Sequence, residues 1–196
     1  MKILKKIFLI FSIFFLITPS FSSEPTEFIS AITQTASEIL KENISVDEKA
    51  EKLVILAENA VDIDGIGLYS LGKHRKTINK EQLKRYKVIF RKYFLKSFSS
   101  RLSQYSDPKI NVVSQNIVNK KYTIVSSILV ETEDRPEIKI DWRVYTINPD
   151  KPLIRDLIIE GLSLARTQKE EFNSVIQGAD GDVNALFTNL ENFNSK

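Results

Sequence analysis

The sequence predicts an α+β fold in which a curved antiparallel sheet of about four strands packs with a helical half. Apolar residues recur at helical spacing from Pro25 to about Tyr105, and they alternate with a period of two from Lys109 to Leu162. Turn residues join the alternating segments by short connections, which favours an antiparallel meander. Helical spacing returns after Leu162, so we expect helices at the end of the chain.

Start and stop signals locate the helices. The first helix is predicted from Pro25 to Glu42, and Ser45-Val-Asp-Glu48 matches a capping box that begins the second. A shorter third helix is expected to end at Gly72, because glycine suits the left-handed position after a helix. Asn79 begins the longest helix, predicted to run to about Tyr105. The two closing helices are predicted at residues 166–177 and 182–193.

Four strands are expected between the long helix and the closing helices. They are predicted at residues 109–118, 121–131, 136–147 and 153–162. Turn signals separate them, such as Asn119-Lys120 between the first two. The third strand alternates strictly, so Ile138, Ile140, Trp142 and Val144 share one face. The second and fourth strands carry apolar residues on both faces, which indicates that both faces of the sheet are partly covered.

The first 22 residues have the features of a cleaved signal peptide. Lys2, Lys5 and Lys6 precede an apolar stretch, and small residues follow it. The remaining residues, 23–196, are predicted to form a single domain, with a helical half at about 24–106 and 164–193 and a sheet half at about 109–162. Without the three leader lysines, 25 basic residues balance 25 acidic ones. This balance gives no support to bulk electrostatic binding of nucleic acid.

The chain contains no cysteine. Its composition therefore excludes a disulfide framework, a thiol nucleophile and lipidation at an N-terminal cysteine. Together with the export signal, this predicts an unanchored protein of the periplasm. Phosphate-binding glycine loops, nucleophile elbows and dinucleotide fingerprints are also missing from the sequence.

Several motifs in a fixed order resemble one protein family. They are Leu71-Gly72-Lys73 with Arg75 and Thr77, a long helix containing Gln82, Phe90, Tyr93 and Tyr105, then Asp141-Trp142-Arg143, and finally Asp156-Leu-Ile-Ile-Glu160-Gly161-Leu-Ser163. Their order and spacing are similar to those of the MlaC family, the periplasmic phospholipid-carrying components of Mla (toluene-tolerance) ABC transport systems. The resemblance extends from about Phe28 to Leu190.

The resemblance implies both a fold and a function. The fold of the family joins a cystatin-like or nuclear-transport-factor-like sheet to a helical half. The implied function is a shuttle that carries phospholipid between an outer-membrane lipoprotein–porin complex and an inner-membrane MCE-domain ABC transporter, and thereby maintains lipid asymmetry. Phospholipid is then cargo, with no cofactor, no nucleotide and no chemistry on the lipid.

A phospholipid carrier needs an apolar space, because each exposed CH₂ costs about 0.8 kcal/mol in water. The aromatic stripe of the long helix, facing the sheet, is expected to supply that space, and Gly161 to bend the backbone nearby. An ordinary packed core has the same composition, and the resemblance favours a cavity. The residues predicted to line it are Leu68, Tyr69, Leu71, Phe90, Tyr93, Phe94, Phe98, Ile128, Trp142, Val144, Leu157 and Ile159.

The segment from Lys73 to Lys96 is strongly basic, with ten cations and Glu81 as its single acid. Such a segment favours contact with an acidic protein surface or with anionic headgroups, although a solvated helix face would look the same. The residues predicted to dock a partner are Lys73, Arg75, Lys84, Arg85 and Lys92.

Two other functions remain open at this level. A small hydrolase or isomerase could use Asp141, Asp156 or Glu160 in an apolar pocket, with help from His74. Ion pairing of Arg143 with Asp156 or Glu160 is the structural alternative for these charges. An envelope adaptor with a filled core could instead bind through its basic helix.

Metal binding is not expected. The segments 62–65 and 180–182 loosely resemble calcium loops, but they lack the required ligand spacing and the terminal glutamate. Asp182 is better explained as a helix N-cap, and a single histidine without cysteine makes a zinc site implausible.

Overall fold

The computed structural model describes residues 24–133 and 135–196. The predicted signal peptide, residues 1–22, lies outside the described residues. The fold is α+β, as predicted, and its helical parts flank the sheet in the chain. The helices within the described residues are α1 Pro25–Lys41, α2 Val46–Ala60, α3 Ile63–Ser70, α4 Lys80–Leu102, α5 Leu164–Gln177 and α6 Val183–Ser195, with a 3₁₀ turn at Gly72–Lys76.

The predicted start signals of α2 and α4 are both confirmed. Ser45 and Glu48 form a complete capping box, and hydrogen bonds from Ser45 hold the pKa of the Glu48 carboxyl below its ordinary value. Asn79 Oδ1 accepts from the backbone N–H of Gln82 over 2.8 Å, and Gln82 Oε1 accepts from that of Asn79 over 3.0 Å. These bonds satisfy N–H groups that a helix start leaves unpaired.

The strands form one antiparallel sheet in the order β1-β2-β3-β4-β5. Their bounds are β1 Ile110–Asn119, β2 Tyr122–Leu129, β3 Ile138–Tyr145, β4 Leu153–Ile159 and β5 Leu162–Ser163. The predicted fourth strand is therefore two strands. Glu160 and Gly161 have φ angles of 48° and 81°, so the chain turns back in a tight hairpin at a glycine that tolerates this conformation.

Alternation along β3 places its apolar residues on one face, as predicted. Ile140, Trp142 and Val144 are buried, whereas Lys139 on the other face is exposed. Val125 of β2 and Leu157 of β4 pair with Trp142 and share its face. The register of β3 with β4 shifts after Arg143, so Arg155 has no partner on β3 at this bulge.

Apolar side chains gather in three clusters. The helical cluster lies among α3, α4, α5 and α6 and is centred on Tyr86, Phe90 and Phe187. The sheet cluster joins the Trp142 face of the sheet to Ile29 at the start of α1. The corner cluster joins the end of α1 to α2 through Ile39, Leu40 and Leu53.

Candidate functional site

The three apolar clusters are linked pairwise by side chains that pack against two of them or contact one another. Val61 packs against both the helical and the sheet cluster. Helix α1 contributes Ile29 to the sheet cluster and, three turns later, Ile39 to the corner cluster. Phe94 packs on the helical cluster and Phe98 on the corner cluster, and their rings stack 6.1 Å apart. We call the region between these links the junction.

The side chains at the rims of the clusters are only half-buried. Leu157 lies at the rim of the sheet cluster, Phe94 at that of the helical cluster, and Phe98 and Leu56 at that of the corner cluster. Half-buried apolar side chains retain surface that a further apolar group can cover. An apolar ligand at the junction would cover part of this surface.

Helix α4 carries a ladder of aromatic rings at intervals of four residues. Tyr86, Phe90, Phe94 and Phe98 follow one another with ring centroids 5.6 to 6.1 Å apart. The first two rings are buried in the helical cluster, and the last two are half-buried. The ladder thus runs from a closed core towards the junction, because residues four apart share one helix face.

A buried hydrogen bond holds Trp142 in place within the sheet cluster. Trp142 Nε1 donates to Ser127 Oγ over 2.8 Å, and Ser127 Oγ donates to the carbonyl oxygen of Ile140 over 3.1 Å. The polar edge of the indole is therefore satisfied within the sheet. The remainder of the ring presents an apolar surface to the cluster. The role of Ser127 was not predicted, because a serine does not contribute to the apolar pattern from which the site residues were chosen.

The structure places eight of the twelve predicted lipid-binding residues in the three clusters, and a ninth, Ile159, beside the sheet cluster. Leu71 and Phe90 are core members of the helical cluster, with Tyr93 and Phe94 at its rim. Trp142 and Val144 are core members of the sheet cluster, with Leu157 at its rim. Phe98 lies at the rim of the corner cluster. Ile159 pairs with Ile140 and is half-buried on the same face as Trp142.

Three of the predicted residues lie apart from these clusters. Ile128 pairs with Lys139, so its side chain points to the face opposite Trp142. The prediction that Ile128 shares a surface with Trp142 is therefore wrong, because β2 carries apolar residues on both faces and parity alone does not choose between them. Tyr69 is 43% exposed beneath the Lys169 ammonium, and Leu68 is half-buried on α3.

The carboxylates considered for catalysis are engaged in the framework. Asp156 accepts from Ser163 Oγ over 2.6 Å and from the backbone N–H of Ala165 over 3.0 Å, which ties β4 to the start of α5. Arg143 Nε lies 3.9 Å from the same carboxylate, in agreement with the predicted pairing. These contacts lie on the face opposite Trp142.

Asp141, Glu160 and His74 are likewise held by neighbouring groups. Asp141 accepts from Ser126 Oγ over 2.6 Å, and Glu160 accepts from the backbone N–H of Lys139 across the strand pair. His74 is buried, and its Nε2 lies 3.1 Å from Asn173 Oδ1. The geometry therefore gives these groups structural partners and does not gather them into one site.

A charged clasp joins the helical half to the sheet. Arg155 Nε donates to Asp62 Oδ2 over 2.6 Å, and its Nη1 donates to Tyr122 Oη over 2.8 Å. The guanidinium also lies 3.7 Å from the centre of the Tyr145 ring. Asp62 in turn caps α3 through the N–H of Gly65. The sequence did not predict this clasp, because the alternation of apolar and polar residues gives no sign of the bulge at Arg155.

The predicted docking residues lie around two grooves and an exposed turn. Lys84, Arg85 and Lys92 line a groove of about 690 Å³ between α4 and α6. Lys73 lines a smaller groove of about 470 Å³ beside α5, and Arg75 is exposed on the 3₁₀ turn. Arg85 is already paired, since its guanidinium donates to both oxygens of Glu191.

Within residues 24–133 and 135–196, no three acidic or histidine side chains converge to hold a metal ion. Every helix in the same part of the chain is too short or too polar to cross a membrane.

Comparisons with known proteins identify a family and a similar fold. The family model described as MlaC protein matches residues 28–192. Among solved structures, a phospholipid-binding protein from Ralstonia solanacearum, determined at 1.53 Å in complex with a phospholipid, is similar with a TM-score of 0.73. The two chains share 17% identity over 88% of this chain and 98% of the other, which establishes a common fold. No curated protein matches the chain.

Proposed function

This chain belongs to the MlaC family, and on that premise we propose that it binds one phospholipid by its acyl chains and carries it across the periplasm. The observation that carries the proposal is the junction of three apolar clusters with half-buried rims. The similar protein from Ralstonia solanacearum was solved with a phospholipid bound, which supports the same ligand class here.

The energetics favour a site of this composition. Hiding two acyl chains from water avoids roughly 20 kcal/mol or more, at about 0.8 kcal/mol per CH₂. The cluster rims offer the aromatic rings of Phe94 and Phe98 and the aliphatic side chain of Leu157. The headgroup needs no such cover and remains in water. Affinity therefore comes from apolar area, and no specific chemistry at the headgroup is required.

A carrying role fits the charged residues better than catalysis does. Asp141, Asp156 and Glu160 accept hydrogen bonds that hold neighbouring strands and the start of α5. A catalytic carboxylate has to face the substrate, whereas Asp156 lies on the face opposite Trp142. The proposed protein delivers its lipid unchanged.

The proposed route connects an outer-membrane lipoprotein–porin complex with an inner-membrane ABC transporter that carries MCE domains. Family membership and the predicted signal peptide support a periplasmic route. The exposed basic surface of α4 supports contact with acidic surfaces of the partner proteins at the two ends of this route.

Native mass spectrometry of protein purified without delipidating solvents tests the lipid-binding function. We expect a mass increment of one phospholipid per chain. Leu157→Trp, which adds bulk at the rim of the sheet cluster, is expected to lower lipid occupancy at least fivefold, because the added ring competes for the junction.

The matched control is Leu164→Trp, which adds the same bulk at a 40% exposed position at the start of α5. Its occupancy should equal that of the wild type. Wild-type protein without bound phospholipid would contradict the function. Full occupancy in folded Leu157→Trp would place the lipid elsewhere.

A further inference from the structure

We propose that the groove between α4 and α6 binds an extended acidic segment of a partner protein. This inference deepens the proposed carrier function, which requires partners, but its test does not depend on bound lipid. The groove measures about 690 Å³. Its lining combines apolar and charged side chains: Glu81, Lys84, Arg85, Val88, Ile89, Lys92, Glu191, Asn194 and Ser195.

The α4 wall of the groove has an apolar centre between two cations. Lys84, Val88 and Lys92 follow at intervals of four residues, so they form one row along the helix. Val88 is 55% exposed, and Ile89 beside it is buried. An exposed valine between two lysines offers an apolar contact and two charge contacts to one ligand.

The two lysines of this row differ from the cations next to them on the helix. Lys87 pairs with Asp64 at 3.1 Å, and Arg91 pairs with Glu58 at 3.3 Å. Lys84 and Lys92 are exposed, and among the described residues no carboxylate lies within 4 Å of either ammonium. The lining carries three cations against two carboxylates, Glu81 and Glu191, so it keeps a net positive charge for a ligand.

The opposite wall is held in a fixed position. Arg85 donates to both carboxylate oxygens of Glu191 and lies 5.5 Å from the Phe187 ring centre. Arg85 therefore joins α4 to α6 and leaves ligand contact to Lys84 and Lys92. A preformed wall lowers the entropy that this protein loses when a partner binds.

An unpaired acceptor in the lining favours a polypeptide over a phosphate headgroup. Asn194 Nδ2 donates to the carbonyl oxygen of Ile89, but Asn194 Oδ1 is buried and has no donor within the described part of the chain. A peptide carries backbone N–H groups that satisfy such an acceptor after a small side-chain movement. A phosphodiester oxygen only accepts hydrogen bonds, and a flat bilayer fits a groove poorly.

The spacing of the lysines defines the ligand. At 1.5 Å rise per residue, Lys84 and Lys92 lie about 12 Å apart along α4. An extended segment advances about 3.3 Å per residue, so its two carboxylates should be about four residues apart. An apolar residue midway between them reaches Val88. The inferred ligand is acidic–x–apolar–x–acidic in extended conformation.

Fluorescence anisotropy with a labelled peptide containing Asp-Ser-Leu-Ser-Asp tests this inference. We expect saturable binding that weakens between 50 mM and 500 mM salt, as charge contacts require. The double reversal Lys84→Glu/Lys92→Glu should weaken binding at least tenfold, and so should an Asn-Ser-Leu-Ser-Asn peptide. Lys120→Glu/Lys121→Glu makes the same charge change at exposed positions of the β1–β2 hairpin, away from the groove, and should retain binding within twofold.

Three results would overturn the inference. They are an absence of saturable peptide binding below 1 mM, equal losses in the two double reversals, and binding of phosphatidylglycerol vesicles, but not of peptide, that depends on Lys84 and Lys92. Circular dichroism of each variant shows that the fold is retained. Lipid occupancy of the same samples, by native mass spectrometry, tests the carrier function separately.

Discussion

Trp142 shows how one residue bonds within the sheet and also packs in the sheet cluster. Its indole N–H is satisfied by Ser127 Oγ, and the hydroxyl of Ser127 is satisfied by the carbonyl of Ile140. The chain of bonds stays within neighbouring strands, so neither the indole N–H nor the Ser127 hydroxyl presents an unpaired donor to the apolar cluster. A surface intended for acyl chains needs this separation, because an unsatisfied donor in an apolar site costs about 1–3 kcal/mol.

Trp142→Phe should lower the free energy of unfolding by about 1–3 kcal/mol, since it removes the donor to Ser127 and some ring volume. Urea denaturation measures the loss. Ser127→Ala removes the other half of the same bond. The double variant should therefore lose about 1 kcal/mol less than the sum of the two single variants. Strictly additive losses would show that the bond does not contribute to stability.

Strand parity predicted the placement of Trp142 and Val144 from the sequence, because β3 alternates without exception. The same reasoning failed for Ile128. Thr123 and Ser127 face the sheet cluster, whereas the more apolar Ile124 and Ile128 lie on the other face. Which face of such a strand is buried depends on its register with β3, and the pattern of apolar residues in β2 does not predict that register.

At the scale of elements, the contact of α3 with α4 includes one buried hydroxyl that donates a hydrogen bond. Tyr86 Oη donates to the carbonyl oxygen of Gly67 over 2.9 Å, and the side chain is fully buried. Burial raises the pKa of the Tyr86 hydroxyl well above its ordinary value of 10.0, and the neighbouring Tyr93 adds to the shift. The neutral phenol is therefore the form that the packed helices accept.

This shift predicts a loss of stability in alkali. Because the folded pKa is raised, the contribution of Tyr86 is complete below the unfolded pKa of about 10 and falls as the pH rises towards the folded pKa. At pH 11 the loss should be about 1.4 kcal/mol. Thermal melts from pH 8 to 11 should show a smaller decline for Tyr86→Phe than for the wild type. Tyr105→Phe, at an exposed position, should decline like the wild type.

The elements themselves were largely predictable. Capping residues located the starts of α2 and α4, and the change of period from helical to two located the sheet. The end of α4 at Leu102 and the division of the fourth strand at Glu160 were missed. Both depend on backbone turns whose residues also fit a continuing helix or strand.

At the scale of the whole molecule, the Arg155 clasp and Val61 connect the helical and sheet halves. The guanidinium contacts Asp62 at the start of α3, and its stacking on Tyr145 fixes it to the sheet. Val61 and Ile154 form a parallel bridge beside it. These contacts tie the start of α3 to β4, whereas α1 and the start of α5 contact the sheet separately.

Arg155→Lys should therefore loosen the halves while each retains its own core. The substitution keeps the positive charge but removes the paired guanidinium hydrogen bonds and the stacking on Tyr145. It should lower the free energy of unfolding by about 1–2 kcal/mol. Hydrogen exchange measured by mass spectrometry should increase in α3, with little change in α6. Arg166→Lys, an exposed arginine on α5, is the control and should leave both unchanged. Uniform acceleration throughout the protein would contradict a local clasp.

The order of elements and the family could be predicted from the sequence, and both are confirmed. The candidate site could be predicted only as a set of apolar residues. Periodicity states which side chains turn inward, but it does not divide them among separate clusters. That division arises from tertiary contacts such as those of α1 with the sheet and with α2.

Separate apolar clusters also affect how the protein melts. Cores that share few side chains, here Val61 between the helical and sheet clusters, behave as separable cooperative units. A lipid chain held between them would act as a common component of all three and would link their unfolding. Calorimetry of delipidated protein should then give a broader unfolding transition than calorimetry of lipid-loaded protein. In that case the bound lipid contributes part of the cooperativity of unfolding.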